Sequence, residues 1–290
     1  MSRALGLALL IVTLALVAAE ACTGVVLVGD GAVVVGGNED NDKINASMWA
    51  TAASETSHGA VYFGFYFPEL GNRRSTWYEM QGVNDQGLYF DLFSTPCRPG
   101  EATDTVPTFA PTRPPEAIER NMLASCATVS EALAFLHRKN YARVLPCVQT
   151  LLVDRDGNAA VYTGKADVFR TTPGFVVTNF WLDDPSLGDG EWPCDRYSAA
   201  SSMIAWDASP TLDRVAQILR ATRLFPEPGD SYADGGTRYS VVCDIVGNVA
   251  DVYLDGDFTR RARLDLALLW TNGLERMPLA DLTFAPSRLP

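Results

Sequence analysis

Short apolar runs of period two fill most of the chain beyond residue 21, broken by glycine-, asparagine- and aspartate-rich turns. Thr23–Val28 and Ala32–Gly36 are β-branched runs separated by Gly29-Asp30-Gly31, a hairpin signal. Strand-like stretches follow at Met48–Ala53, the aromatic run Val61–Phe67, Thr76–Gln81 and Leu88–Ser94, with a turn over Gly82–Gly87. Helical periodicity is confined to Pro115–Ser125, Val129–Lys139 behind the capping box Thr128–Glu131, Cys194–Trp206, and Thr211–Thr222 with Ser209-Pro210 as its start. Two more hairpins turn over Asp156-Gly157 (Val148–Asp154 with Ala159–Gly164) and Gly247-Asn248 (Arg238–Ile245 with Val249–Leu254). Gly174–Phe180 reads as a lone strand and Ala262–Thr271 as a late apolar segment. Hairpins, then helices, then hairpins again is not βαβ alternation. The pattern predicts an α+β fold of antiparallel sheets with segregated helices. Pro96–Pro115, with six prolines, reads as a surface connection, the functional alternative being a flap over a pocket.

The apolar run Leu5–Ala19 behind Arg3, followed by the A-x-A site Ala19-Glu20-Ala21, reads as a secretory signal over residues 1–21. The sixteen residues Ala4–Ala19 would span roughly 24 Å as a helix, short of the ~30 Å of a bilayer core, so no stable membrane anchor is expected. Residues 22–290 then form one domain, secreted or periplasmic, that begins at Cys22. Two other readings of Cys22 stand beside this. It could be lipidated, as in a non-catalytic lipoprotein or binding protein, although Glu20 beside the site argues against that. It could also be half of a disulfide.

Composition narrows the partners. A net charge of −12 without a basic run argues against nucleic acid. Two histidines and no C-x-x-C or H-E-x-x-H pattern argue against a transition metal, and nothing implies a cofactor. The expected partner is a small molecule, and a homo-oligomer is compatible with the sequence. Six cysteines in an exported chain allow at most two bridges if Cys22 keeps its thiol, and their pairing cannot be read.

An N-terminal cysteine carries a nucleophile and a base within one residue. The α-amine, with a pKa of ~7.7–8.0, is partly neutral at pH 7, whereas a thiol at ~8.5 is only a few per cent ionised. The first hairpin returns Asn38–Asn41 toward the new terminus, where Asp40 can meet the amine. The bland alternative is that Asn38, Asp40 and Asn41 only end a strand. His137, near a helix C-terminus, reads as a dipole complement rather than a catalyst.

These residues resemble the choloylglycine hydrolase and penicillin V acylase group of N-terminal nucleophile hydrolases. The likeness rests on Cys22-Thr23, Gly36–Asp40, Gly82–Leu88, Thr178-Asn179, Arg196-Tyr197 and Tyr239–Val242. It implies a four-layer αββα sandwich that hydrolyses linear non-peptide amides. Cys22 would be nucleophile and base, and Asp40 the amine's partner. Asn179 and a backbone N–H near Ser94 would form the oxyanion hole, with Arg196 beside the thiolate. Without the resemblance, Asn179 could be a loop starter and Arg196 a solvated helix residue. The group's arginine between Gly and Asn is Gly37 here, which points to another substrate branch. An N-terminal-cysteine dipeptidase, which has a similar Asn38-Glu39-Asp40 segment, and an acyltransferase are the alternatives within enzymes.

Overall fold

The computed structural model describes residues 22–41, 45–67, 76–98, 118–187, 194–225, 235–287 and 289. Among them the chain builds two antiparallel sheets. The first runs in the order β10 (Gly174–Val177), β1 (Thr23–Gly29), β2 (Ala32–Asp40), β11 (Thr237–Asp244), β12 (Val249–Leu254), β13 (Asp257–Asp265) and β15 (Ala285–Pro286). The second runs β14 (Leu274–Pro278), β3 (Ala46–Thr51), β4 (Ala60–Phe67), β5 (Thr76–Asn84), β6 (Tyr89–Ser94), β7 (Val148–Val153), β8 (Ala159–Tyr162) and β9 (Asp167–Phe169). Helices α1 (Ile118–Ser125) and α2 (Val129–Arg138) cover the outer face of the second sheet. Helices α4 (Asp195–Trp206) and α5 (Leu212–Thr222) cover the outer face of the first. The short α3 (Tyr141–Val144) follows α2, and α6 (Leu266–Asn272) closes one end against β3, β4 and β12. The fold is an α+β sandwich of four layers, as the pattern and the resemblance lead one to expect.

The strand period explains the layering. Cys22, just before β1, and Val26 on it join the core between the sheets, whereas Val25 and Leu27 join the core under α4 and α5. On β2, a Cβ on Gly36 would meet Val215 and Leu219 of α5, and one on Gly37 would meet Asp91 and Gln81 of the other sheet. The facing sheets interlock through rings such as Phe65 against Tyr239, 5.3 Å between centroids. Each fully buried Val or Leu contributes about 1.5–3 kcal/mol.

The first hairpin turns in two residues. Gly29 pairs with Ala32, and Asp30 and Gly31 both take positive φ (52° and 74°), the backbone of a type I′ turn. The capping box at Thr128 and Glu131 is present. α5, however, is capped by Thr211, whose side chain accepts from Arg214 N, not by Ser209, which bonds Asp207 instead. β5 runs through Gly82 to Asn84, so the turn is shorter than Gly82–Gly87. There the Asn84 side chain donates to the Leu123 and Cys126 carbonyls at the end of α1, 2.7 Å each, and accepts from Gln86 N and Leu88 N. This segment, one of those that carry the resemblance, therefore welds a turn to a helix end. His137 Nε2 lies 3.0 Å from an Asp167 carboxylate oxygen. Most of Pro96–Pro115, read above as a connection or a flap, lies outside the described residues.

Cys97 and Cys147 form a disulfide that closes a separation of 50 residues, and Cys126, Cys194 and Cys243 remain thiols like Cys22. Closing such a loop is worth about 4 kcal/mol. The Cys97→Ala/Cys147→Ala double variant is expected to lose roughly that amount in urea unfolding; an unchanged midpoint would contradict it.

Candidate active site

Cys22 immediately precedes β1, and the register Thr23↔Asn38 places it opposite Glu39. Cys22 is 2 % exposed, and its sulfur lies 3.7 Å from Glu39 Oε2, to which the thiol donates. Gln81 Nε2 donates to Glu39 Oε1 at 2.8 Å. Asp91 of β6 hydrogen-bonds Glu39 and accepts from Tyr89 Oη at 3.2 Å. Burial, reinforced by the Asp91 charge and its hydrogen bond, holds the Glu39 carboxyl well above the usual range. Burial also pushes Asp91 up to about 7, against the pull of hydrogen bonds from Glu39, Tyr89, the Leu92 N–H and Gln81.

The space for this carboxyl pair comes from Gly37. A Cβ there would stand 2.2 Å from Asp91 Oδ2 and 2.6 Å from Gln81 Nε2. The position where the resemblance leads one to expect arginine is thus filled from across the sheets by one acid, Asp91, and one amide, Gln81. Gly37→Ala is expected to push Asp91 and Gln81 aside and cost about 1–3 kcal/mol, measured by thermal unfolding.

Asp40 lies on the other face of β2 from the thiol, as strand alternation requires. It is buried, and Thr237 Oγ1 donates to its Oδ1. Its Oδ2 is buried without a hydrogen-bond partner among the described residues. Burial raises its pKa to about 7, opposed by the Thr237 hydrogen bond and the Arg196 charge. Asn38, on the same face, is structural: it donates to the Leu219 carbonyl of α5 and accepts from Ser240 Oγ.

Arg196 sits in the first turn of α4, where the helix dipole disfavours a cation. It is not a solvated helix residue. Its guanidinium donates to the Cys22 carbonyl, to Thr23 Oγ1 at 3.2 Å, and through both terminal nitrogens to Asn179 Oδ1 at 3.3 Å. Asn179 follows β10, and its Nδ2 donates to the Ser94 carbonyl at 3.0 Å. Arginine can only donate and a carbonyl can only accept, so the amide's orientation is fixed from both sides. Thr95 N bonds the Cys147 carbonyl, and β6 pairs Ser94 with Val148. By alternation, the Ser94 N–H and C=O therefore face away from β7, on the edge where Asn179 binds. Cys22, Ser94, Asn179 and Arg196 are thus brought together, with Asp40 near Arg196 on the outer face.

A brace that sequence reading missed holds Asn179. Buried Gln149 of β7 donates to the carbonyls of Thr178 and Phe180 and accepts from Leu182 N. Arg98 pairs with Asp183 at 2.6 Å and stacks on Trp181, whose Nε1 bonds the Pro96 carbonyl. The disulfide fixes the residue between Pro96 and Arg98 to the start of β7.

No protein-family model and no curated protein matches the sequence. Solved structures do match in shape. A variant of the conjugated bile acid hydrolase from Clostridium perfringens superposes with a TM-score of 0.61 at 14 % identity, over 92 % of this chain and 98 % of that one. The fold is that of the N-terminal nucleophile hydrolases. Penicillin V acylase from Agrobacterium tumefaciens matches with a TM-score of 0.59 at 16 % identity, over 86 % of this chain and 88 % of that one. A second, mutant structure of the Clostridium enzyme gives 0.57 at 15 %, over 89 % and 96 %. At these identities the N-terminal nucleophile hydrolase likeness is one of fold.

Proposed function

We propose that the chain is an exported hydrolase of linear, non-peptide amides that uses Cys22 as an N-terminal nucleophile. The observation that carries this reading is the convergence of Asn179, Arg196 and the Ser94 backbone on the residue that the A-x-A site would make the first. The fold shared with a bile acid hydrolase and a penicillin V acylase supports it. The apolar leader and the Cys97–Cys147 bridge support export to a secreted or periplasmic location.

Removing residues 1–21 would free the Cys22 α-amine. The unpartnered Asp40 Oδ2 would then take the ammonium form as its partner, as a buried carboxylate requires. The sulfur attacks the substrate carbonyl carbon, and the negative charge that develops on the carbonyl oxygen is met by Asn179 Nδ2 and the Ser94 N–H. One Nδ2 hydrogen bonds the Ser94 carbonyl, leaving the second for the oxyanion. Arg196 holds Asn179 and the Cys22 carbonyl in place. The ammonium protonates the leaving amine, and water resolves the thioester.

The test is turnover of a panel of N-acylated amines, penicillin V and dipeptides by the processed protein. Release of amine from acylated amines or penicillin V is the expected result. Cleavage of dipeptides alone would move the reading to a dipeptidase, and a lipid on Cys22 would overturn it altogether.

A further inference from the structure

We infer that Glu39 takes the proton of the Cys22 thiol and passes its own to Asp91, so that a pair of buried carboxyls serves as the proton acceptor for the nucleophile. This rests on the hydrolase reading above and adds Glu39 to its catalytic residues, because Glu39 touches the reacting sulfur; the α-amine, held as ammonium by Asp40, cannot accept the thiol proton and keeps its own for the leaving amine.

The geometry is directional. The thiol donates to Glu39 Oε2 at 3.7 Å, while Gln81 holds Oε1 at 2.8 Å and so turns Oε2 toward the sulfur. Two carboxyls hydrogen-bonded to each other must hold a proton between them, since two carboxylates have no hydrogen to share. The pair therefore carries one proton and one negative charge. Tyr89 Oη donates to Asp91 Oδ2, which favours the charge on Asp91 and the proton on Glu39.

The transfer balances. The S–H bond breaks and an O–H bond forms at Glu39 Oε2. The O–H that Glu39 shared with Asp91 breaks and re-forms on Asp91. The net charge of −1 moves from the carboxyl pair to the sulfur. Neutral acids then face a thiolate, so the low dielectric that would penalise adjacent anions is not violated. An acceptor held near neutrality by burial is matched to work at physiological pH.

The groups that face Glu39 are consistent with this. Cys22 meets it from β1, Asp40 adjoins it along β2, and Gln81 and Asp91 reach it from β5 and β6. Tyr89, on β6, and Tyr239, on β11, are both held protonated by burial. Arg196 bonds the Cys22 carbonyl and bears on Asp40.

The experiment compares the processed protein, beginning at Cys22, with its Glu39→Gln and Asp91→Asn variants, both isosteric. Alkylation of Cys22 by iodoacetamide is followed by peptide mass from about pH 5 to about pH 9, and kcat is measured on an acyl-amide that the wild type cleaves. Glu39→Gln is expected to lower both rates about 100-fold at neutral pH. Asp91→Asn is expected to remove the limb near pH 7 and leave substrate KM unchanged. If Glu39→Gln does not fold, the loss of that limb in Asp91→Asn decides. Cys22 alkylated at the wild-type rate and with the wild-type pH profile in both variants overturns the relay, as does a wild-type Cys22 that never reacts. Alkylation needs no substrate, so the two readings fail separately. Glu39-dependent alkylation without amide turnover sinks the hydrolase reading and keeps the relay. Cys22-dependent turnover with Glu39-independent alkylation sinks the relay alone.

Discussion

Cys22→Ala abolishes turnover of every acyl-amide, and Asn179→Ala lowers kcat by about 100- to 1,000-fold while leaving Cys22 able to react with small electrophiles. The two losses differ in kind. The alanine at position 22 removes the only atom that attacks. The alanine at 179 removes one of two oxyanion donors, worth about 3–4 kcal/mol in the transition state and little in the ground state. The loss should therefore fall on kcat more than on KM. Asn179 also ties Arg196 to the Ser94 carbonyl, so the second variant is read beside Gln149→Leu, which loosens the same loop from behind. A Gln149 variant that raises KM with kcat kept, beside an Asn179 variant that loses kcat, supports the division. Residual turnover in Cys22→Ala, measured on protein free of wild type, contradicts it.

The second large effect is an inverted dependence of stability on pH. Burial raises Asp91 from 3.8 to about 7 and Glu119 from 4.5 to about 7, and holds Glu39 well above its ordinary value. The folded state therefore binds more protons than the unfolded chain between those values. The stability these groups contribute is fully present below about pH 4 and is lost as pH rises through about 7. For a carboxyl moved from 3.8 to about 7 the change is up to about 4 kcal/mol. The midpoint of urea unfolding is expected to fall from about pH 4.5 to about pH 8, opposite to a protein held by paired carboxylates. Glu119→Gln, which keeps the hydrogen bond from Tyr141 and lies in the α1 layer, should remove its share of the slope. A midpoint that rises toward neutrality would contradict the buried, protonated cluster.

Much of the architecture is legible because one physical signal, alternation, marks both strands and faces. The hairpin runs at 23–36, 148–164 and 238–254 became β1–β2, β7–β8 and β11–β12. Strands that carry charge escaped. β13 (DFTRRARLD) alternates buried Phe258 and Ala262 with exposed polar residues, and its Arg261 and Arg263 bind buried Asp251. Arginines on an exposed outer strand look like loop to any hydropathy reading. The disulfide, the Gln149 brace and the Arg98–Trp181 stack join segments far apart in sequence, and nothing local announces them.

The candidate site was half legible. Cys22 came from the cleavage signal, Asn179 and Arg196 from motif likeness, and the fold brings them together. Glu39 did not stand out, and the reason is one residue of register. A three-residue turn at Gly29–Gly31 would set Cys22 opposite Asn38, whereas the observed two-residue turn sets it opposite Glu39. Positive φ at Asp30 and Gly31 is what Asp-Gly in a type I′ turn favours, so the signal was present in the dipeptide. Gly37 is the companion clue. A glycine in the middle of a buried strand marks close approach from another layer, here Asp91 and Gln81.

The most direct measurement is the intact mass and N-terminal sequence of the exported protein, before and after acid quench with an acyl-amide substrate. The account predicts an unmodified chain starting at Cys22 that gains one acyl group on that residue, the trapped thioester. A chain that starts elsewhere, a lipidated Cys22, or an acyl group on any other residue would contradict it.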